Sequence, residues 1–81
     1  MTNDNNQKVD TKSFGERLRQ RLSELGMTSS ELASKAGMDV ATFHKLQKGM
    51  AVPRADHLLR LAKALGVRPE YLLWGEEGGE K

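Results

Sequence analysis

The chain has 81 residues and no cysteine, which leaves room for one small domain and excludes both a disulfide framework and a thiolate zinc site. Its net charge of +2 is unevenly placed: residues 13–74 hold ten Lys/Arg against six Asp/Glu, the first twelve residues balance, and the last seven carry three Glu against Lys81. The middle therefore has a mild basic bias that suits an anionic partner, and its longest apolar run, Tyr71 to Trp74, is far short of a membrane helix or an export signal, so a soluble cytoplasmic protein without a membrane partner is expected.

Residues 1–12 are polar with a single Val and no periodicity, and read as a disordered arm. Ser13-Phe-Gly-Glu16 has the pattern of a capping box, and Phe14, Leu18, Leu22 and Leu25 form the apolar stripe of a first helix that stops at Gly26. Arg17, Arg19 and Arg21 spread around this helix, which reads as a solvated face rather than a binding patch. Thr28-Ser-Ser-Glu31 is a second capping box, opening a helix with Leu32, Ala33 and Ala36 before Gly37. Asp39 caps a third helix whose apolar positions are Phe43 and Leu46, ending at Gly49. Met50 to Pro53 is an extended connector, because the residue before a proline avoids the α region. Residues 55–65 place Leu58, Leu61, Ala62 and Leu65 on one face before Gly66, and Pro69 opens a short fifth helix through Trp74. Residues 76–81 are an acidic tail or the start of a linker. With no alternating segment, the fold class is all-α.

The stretch from Ser29 to Leu46 carries the most information. Ala36-Gly-Met-Asp39 leaves only about three or four residues to reverse direction, which forces a sharp crossing of the second and third helices. Ala33 is small enough to let the two axes approach, Gly37 supplies the left-handed turn residue, and Met38 can plug the gap beneath it. Phe43 and Leu46 anchor the underside of the third helix and leave its other face and its N-terminus outside, as a groove-reading helix requires.

Residues 28–39, the Phe43/Leu46/Gly49 frame, Pro53, Leu-Leu-Arg-Leu-Ala-Lys-Ala-Leu-Gly-Val at 58–67 and Tyr-Leu-Leu-Trp-Gly at 71–75 together resemble the Cro and C1-type helix-turn-helix proteins, which include phage repressors and Xre-type regulators. The resemblance covers residues 13–75. It implies a five-helix, lambda-repressor-like domain that binds a double-stranded DNA operator as a homodimer, in the bacterial cytoplasm at the nucleoid, and regulates transcription as a phage or prophage-type repressor. Carried over, the base-reading positions fall on Val40, Ala41 and Thr42, and one turn later on His44 and Lys45. Val40 and Ala41 cannot hydrogen-bond, so they favour thymine methyl groups, whereas Lys45 can donate to guanine. Phosphates would be met by Thr28, Ser29, Lys48 and Arg54, with Lys35 a weaker candidate. Two departures stand out. Ser29 takes the place of the family's usual Gln, and Leu22 and Gln47 replace a common Arg–Glu pair, both charges being absent together so that neither is orphaned.

These positions have plainer alternatives: Val40 and Ala41 as core residues at a helix start, His44 as a solvated residue, Lys45 and Lys48 as surface lysines. In the fifth helix four consecutive large apolar residues cannot all face one core, so at least one should be exposed unless a second subunit covers it. Leu72, Leu73 and Trp74 are the dimer-interface candidates, the alternative being that they close the edge of the monomer core.

No catalytic constellation can be assembled. His44 and His57 have neither a Cys nor a close carboxylate set at metal-ligand spacing, no glycine-rich phosphate loop occurs, and the serines at caps lack a nearby base. No enzyme activity, metal, cofactor or small-molecule ligand is expected. The competing reading is a protein-binding adaptor or antirepressor that keeps the helix-turn-helix frame, favoured by apolar Val40 and Ala41; Lys45, Lys48 and Arg54 favour DNA.

Overall fold

The first helix starts one turn before the expected cap. In a computed structural model, which describes residues 9–75, α1 spans Thr11–Leu25 and its N-cap is Asp10, whose carboxylate accepts from the Ser13 amide at 3.2 Å and from the Ser13 hydroxyl at 3.0 Å. The expected Ser13–Glu16 box is thus displaced by an ionised acceptor three residues upstream. A carboxylate makes the stronger hydrogen bond and also gains from the positive end of the helix dipole. The Ser13 amide, then the Ser13 hydroxyl, hold the Asp10 carboxyl below its usual value. Residues 9–12, assigned by sequence to the arm, therefore form the helix entry, and Val9 packs against the core. Residues 1–8 and the acidic tail at 76–81 lie outside the described residues.

The other starts follow their local signals. Helix α2 spans Ser29–Lys35 behind a complete capping box, with Thr28 Oγ1 accepting the Glu31 amide at 3.0 Å and Glu31 Oε1 accepting the Thr28 amide at 2.9 Å. Helix α3 spans Val40–Gln47, α4 Ala55–Leu65 and α5 Pro69–Trp74, the last with proline in its first turn. No strand is present among the described residues.

Each helix contributes to one apolar core, from Phe14, Leu18 and Leu22 of α1 to Leu72 of α5, and no polar or charged side chain is buried among the described residues. Helix α1 lies in the middle, packed against α3, α4 and α5, while α2 packs on α3 and α4. Gly15 sets the closest approach. A Cβ there would collide with the carbonyl of Gln47 and lie 2.9 Å from that of Leu46, so α1 crosses the end of α3 backbone to backbone. Gly37, at φ 67°, makes the left-handed turn between α2 and α3, and Ala33 is fully buried at their contact.

The three arginines of α1 do more than form a solvated face: Arg19 is exposed, Arg17 and Arg21 are half-buried, and all three reach neighbouring helices. Arg17 Nη1 donates to the carbonyls of Leu72 (3.0 Å) and Leu73 (3.3 Å) in α5, Arg19 Nη1 to that of Gln47 in α3, and Arg21 Nε to that of Leu65 in α4 (3.1 Å). Each guanidinium thus caps the C-terminus of a different helix, where carbonyls lack intrahelical partners and the dipole is negative. Their spread around the helix, which argued against a patch, lets one helix reach three neighbours.

Candidate nucleic-acid interface

Asp39 decides where α3 begins, its carboxylate accepting the Thr42 amide at 3.4 Å. Phe43 and Leu46 are buried beneath the helix, and the 3.6-residue period then dictates what faces outward. Val40, Ala41, His44, Lys45 and, at the C-cap, Lys48 follow one another along one face, and all five are exposed. Val40, at 37% exposure, and Ala41 are therefore not core residues at a helix start. Thr42 is half-buried at the edge of this row. The result is an apolar N-terminal turn followed by an imidazole and two ammonium groups.

Thr28 is exposed at the N-cap of α2, and its oxygen accepts an amide, which leaves its hydrogen free. Ser29 is half-buried between α2 and α3, and its Oγ donates to Gln47 Oε1 at 3.3 Å. Gln47 thus joins all three of the first helices: its carbonyl takes Arg19 of α1 and its amide takes Ser29 of α2. Arg54 is exposed beyond the connector, but its guanidinium grips the Asp56 carboxylate through Nε–Oδ1 and Nη2–Oδ2, both 3.2 Å. Burial works to raise the Asp56 carboxyl, yet the Arg54 charge, the His57 amide and the charges of His57 and Arg60 outweigh it and hold the group below its usual value. An exposed pair of this kind is weak, so a phosphate can take the place of the carboxylate. Lys35 is set apart from the α3 row in a hollow it shares with Arg60 and Lys63.

The fifth helix corrects one expectation. Leu72, assigned to a dimer interface, has 0% exposure and belongs to the core, because α5 is packed against both α1 and α4. A side chain with no exposed surface makes no direct contact with a second subunit. Tyr71, Leu73 and Trp74 are half-buried, so the apolar surplus is shared among three partly covered residues instead of falling on one exposed residue. Among the described residues the most exposed large apolar side chains lie elsewhere, at Met50 (70%), Val52 (66%) and Leu59 (58%). Leu59 falls outside the Leu58/Leu61/Leu65 row, so its exposure was readable from periodicity; the connector has no period to read.

A short helix seated across a second one, with the second presenting an exposed face above two buried anchors, is the architecture of a helix-turn-helix DNA-binding domain. A family model of the Cro/C1-type HTH DNA-binding domain matches residues 17–73, and the chain belongs to that family. It is 31% identical over 68 residues to repressor protein C2 of Salmonella phage P22, covering 84% of this chain and 32% of that protein. It is 36% identical over 73 residues to the HTH-type transcriptional regulator PrtR of Pseudomonas aeruginosa, covering 90% of this chain and 28% of that one. The chain thus spans under a third of the length of these curated relatives. Among solved structures, the P22 c2 repressor in complex with a synthetic operator aligns with a TM-score of 0.74 at 32% identity, covering 76% of this chain and 94% of that one. The restriction-modification controller protein C.AhdI from Aeromonas hydrophila aligns with a TM-score of 0.74 at 30% identity, covering 78% and 96%.

Proposed function

We propose that the protein is a sequence-specific transcriptional regulator of the repressor type, which binds duplex DNA as a two-fold dimer with α3 in the major groove. The observation that carries this reading is the exposed row Val40, Ala41, His44, Lys45 and Lys48 above buried Phe43 and Leu46. In it Val40 and Ala41 meet thymine methyl groups, Lys45 and His44 reach base edges one turn later, and Thr42 bonds at the edge of the groove. Thr28, Ser29, Lys48 and Arg54 hold phosphates and set the register. The P22 c2 structure, captured on a synthetic operator, supports the choice of DNA.

One such domain covers too few base pairs to select a site in a genome, so two act together on half-sites about one helical turn apart. Half-buried Leu73 and Trp74 are the α5 residues left for the dimer contact. No helix among the described residues is long and apolar enough to cross a membrane, and a regulator of this kind works in the bacterial cytoplasm at the chromosome. The apolar start of α3 also favours a second reading, a protein-binding adaptor that does not bind DNA.

Selection from random duplexes, followed by salt titration on the selected site, tests both. Two subunits neutralising about three to five phosphates each give a slope of log affinity on log salt of roughly −5 to −9. A slope near zero sinks the DNA reading and leaves the adaptor.

A further inference from the structure

The two hydroxyls at the start of α2 use their hydrogens differently. Thr28 Oγ1 accepts the Glu31 amide at 3.0 Å, spending a lone pair. Ser29 Oγ donates to Gln47 Oε1 at 3.3 Å, spending its one hydrogen. A phosphate oxygen only accepts, so in this arrangement Ser29 has nothing to give it. The partner, however, is a carboxamide, with an acceptor on one side and a donor on the other. Its terminal torsion is broad and roughly two-fold, so a half-turn replaces Oε1 by Nε2. Nε2 then donates to Ser29 Oγ and releases the serine hydrogen. The Gln47 backbone stays in place meanwhile, because Arg19 holds its carbonyl and Gly15 of α1 lies against the same peptide.

We infer that Gln47 is the positioning residue for a Ser29–phosphate contact: its amide holds the serine hydrogen in the free protein and, by turning over, makes that hydrogen available to the DNA backbone without letting Ser29 go. The inference rests on the DNA-binding reading above. It also distinguishes glutamine from glutamate at this position. A carboxylate of the same shape accepts only, so it would retain the serine hydrogen and set a negative charge beside the phosphate.

The test is duplex binding across a range of salt by the wild type, Ser29→Ala, Gln47→Glu, Gln47→Met and the double variant Ser29→Ala/Gln47→Glu, with thermal unfolding of each. If Gln47 only ties α2 to α3, Gln47→Glu keeps the accepting oxygen and is the milder change, while Gln47→Met is the harsher. For DNA binding the order should reverse. Gln47→Glu should lose about tenfold or more in affinity, the weight of one hydrogen bond to a charged group. Gln47→Met leaves the serine hydrogen free and should lose less than either Gln47→Glu or Ser29→Ala. In the Ser29→Ala background, Gln47→Glu should cost less than half as much on a logarithmic scale, the remainder being repulsion that fades with salt. Additive losses, or a larger loss for Gln47→Met than for Ser29→Ala, overturn the inference and leave the DNA reading standing. If Gln47→Glu fails to fold, Gln47→Met decides it: a measurable loss smaller than that of Ser29→Ala is expected, and no loss at all, or a loss larger than that of Ser29→Ala, overturns the inference. A wild type without salt-dependent duplex binding overturns both.

Discussion

Arg17 in α1 donates through Nη1 to the carbonyl of Leu72, 55 residues further along the chain, at 3.0 Å. The same guanidinium lies against Gly75, where a Cβ would come within 2.7 Å of Nη2. A six-residue helix is too short to hold itself together, so α5 depends on this clamp and on the burial of Leu72. Arg17→Ala should lower stability by about 1.5–2 kcal/mol, the lower part of the range for a hydrogen bond to a charged group because Arg17 is only partly buried. In a domain of this size that is a fall in Tm of roughly 6–16 °C, and Trp74 fluorescence should change ahead of the helical signal. An unchanged Tm would mean that the clamp contributes nothing.

The burial pattern in α5 separates fold from association. Leu72→Asp should abolish folding, because it places an unpaired charge in a fully covered site. Leu73→Glu and Trp74→Glu, at half-covered positions, should leave the helical spectrum largely intact and prevent cooperative binding to a two-half-site operator. Sedimentation with gel-shift titration distinguishes the outcomes. If Leu73→Glu and Trp74→Glu both leave cooperativity untouched, exposed Met50, Val52 and Leu59 are the next surface to test for the dimer contact.

Contacts along the α3 row and beyond it should differ in what they change. Lys48→Ala should weaken all duplexes alike and reduce the salt slope by about 1 per subunit, whereas Lys45→Ala or Ala41→Gln should alter which sequence is preferred. Asp56→Asn should strengthen binding modestly to every sequence, since it frees the Arg54 guanidinium now held at 3.2 Å and removes a negative charge. Competition assays on selected and scrambled duplexes check this division, and equal losses from Lys48→Ala and Lys45→Ala on every sequence would refute it.

The Asp10 cap makes a prediction for acid. Its carboxyl lies below the ordinary value of 3.8 in the folded chain, chiefly through the Ser13 amide. A lowered folded value means stabilisation that is fully present above the unfolded value and is lost as pH falls through the folded one. Asp10→Asn keeps a capping oxygen but carries no charge and cannot titrate, so it should cost most at neutral pH, where Asp10 is ionised, and the two proteins should converge below about pH 4, where the variant's stability curve is the flatter. Urea midpoints measured from pH 2.5 to 7 for both proteins show whether the difference has this shape.

Much of the fold was legible in the sequence because the signals are local. The Thr28–Glu31 box, Asp39 before α3 and Pro69 at the start of α5 each act within three or four residues, and apolar spacing marked Phe43 and Leu46 as anchors. With those two anchors placed, the helical period alone points Val40, Ala41, His44, Lys45 and Lys48 outward. Where two local signals competed, as Asp10 and Ser13 did, pattern matching chose the box while the structure chose the charged acceptor. The rest is decided by tertiary packing. Which of four consecutive apolar residues in α5 is buried depends on how a short helix lies against α1 and α4, and that angle is not encoded in the residues themselves. Arg17, Arg19 and Arg21 find carbonyls 28 to 56 residues away, and Ser29 finds Gln47 across 18. Such partners share no period and no spacing rule, because a C-terminal carbonyl presents itself to a distant guanidinium only after the helices have docked.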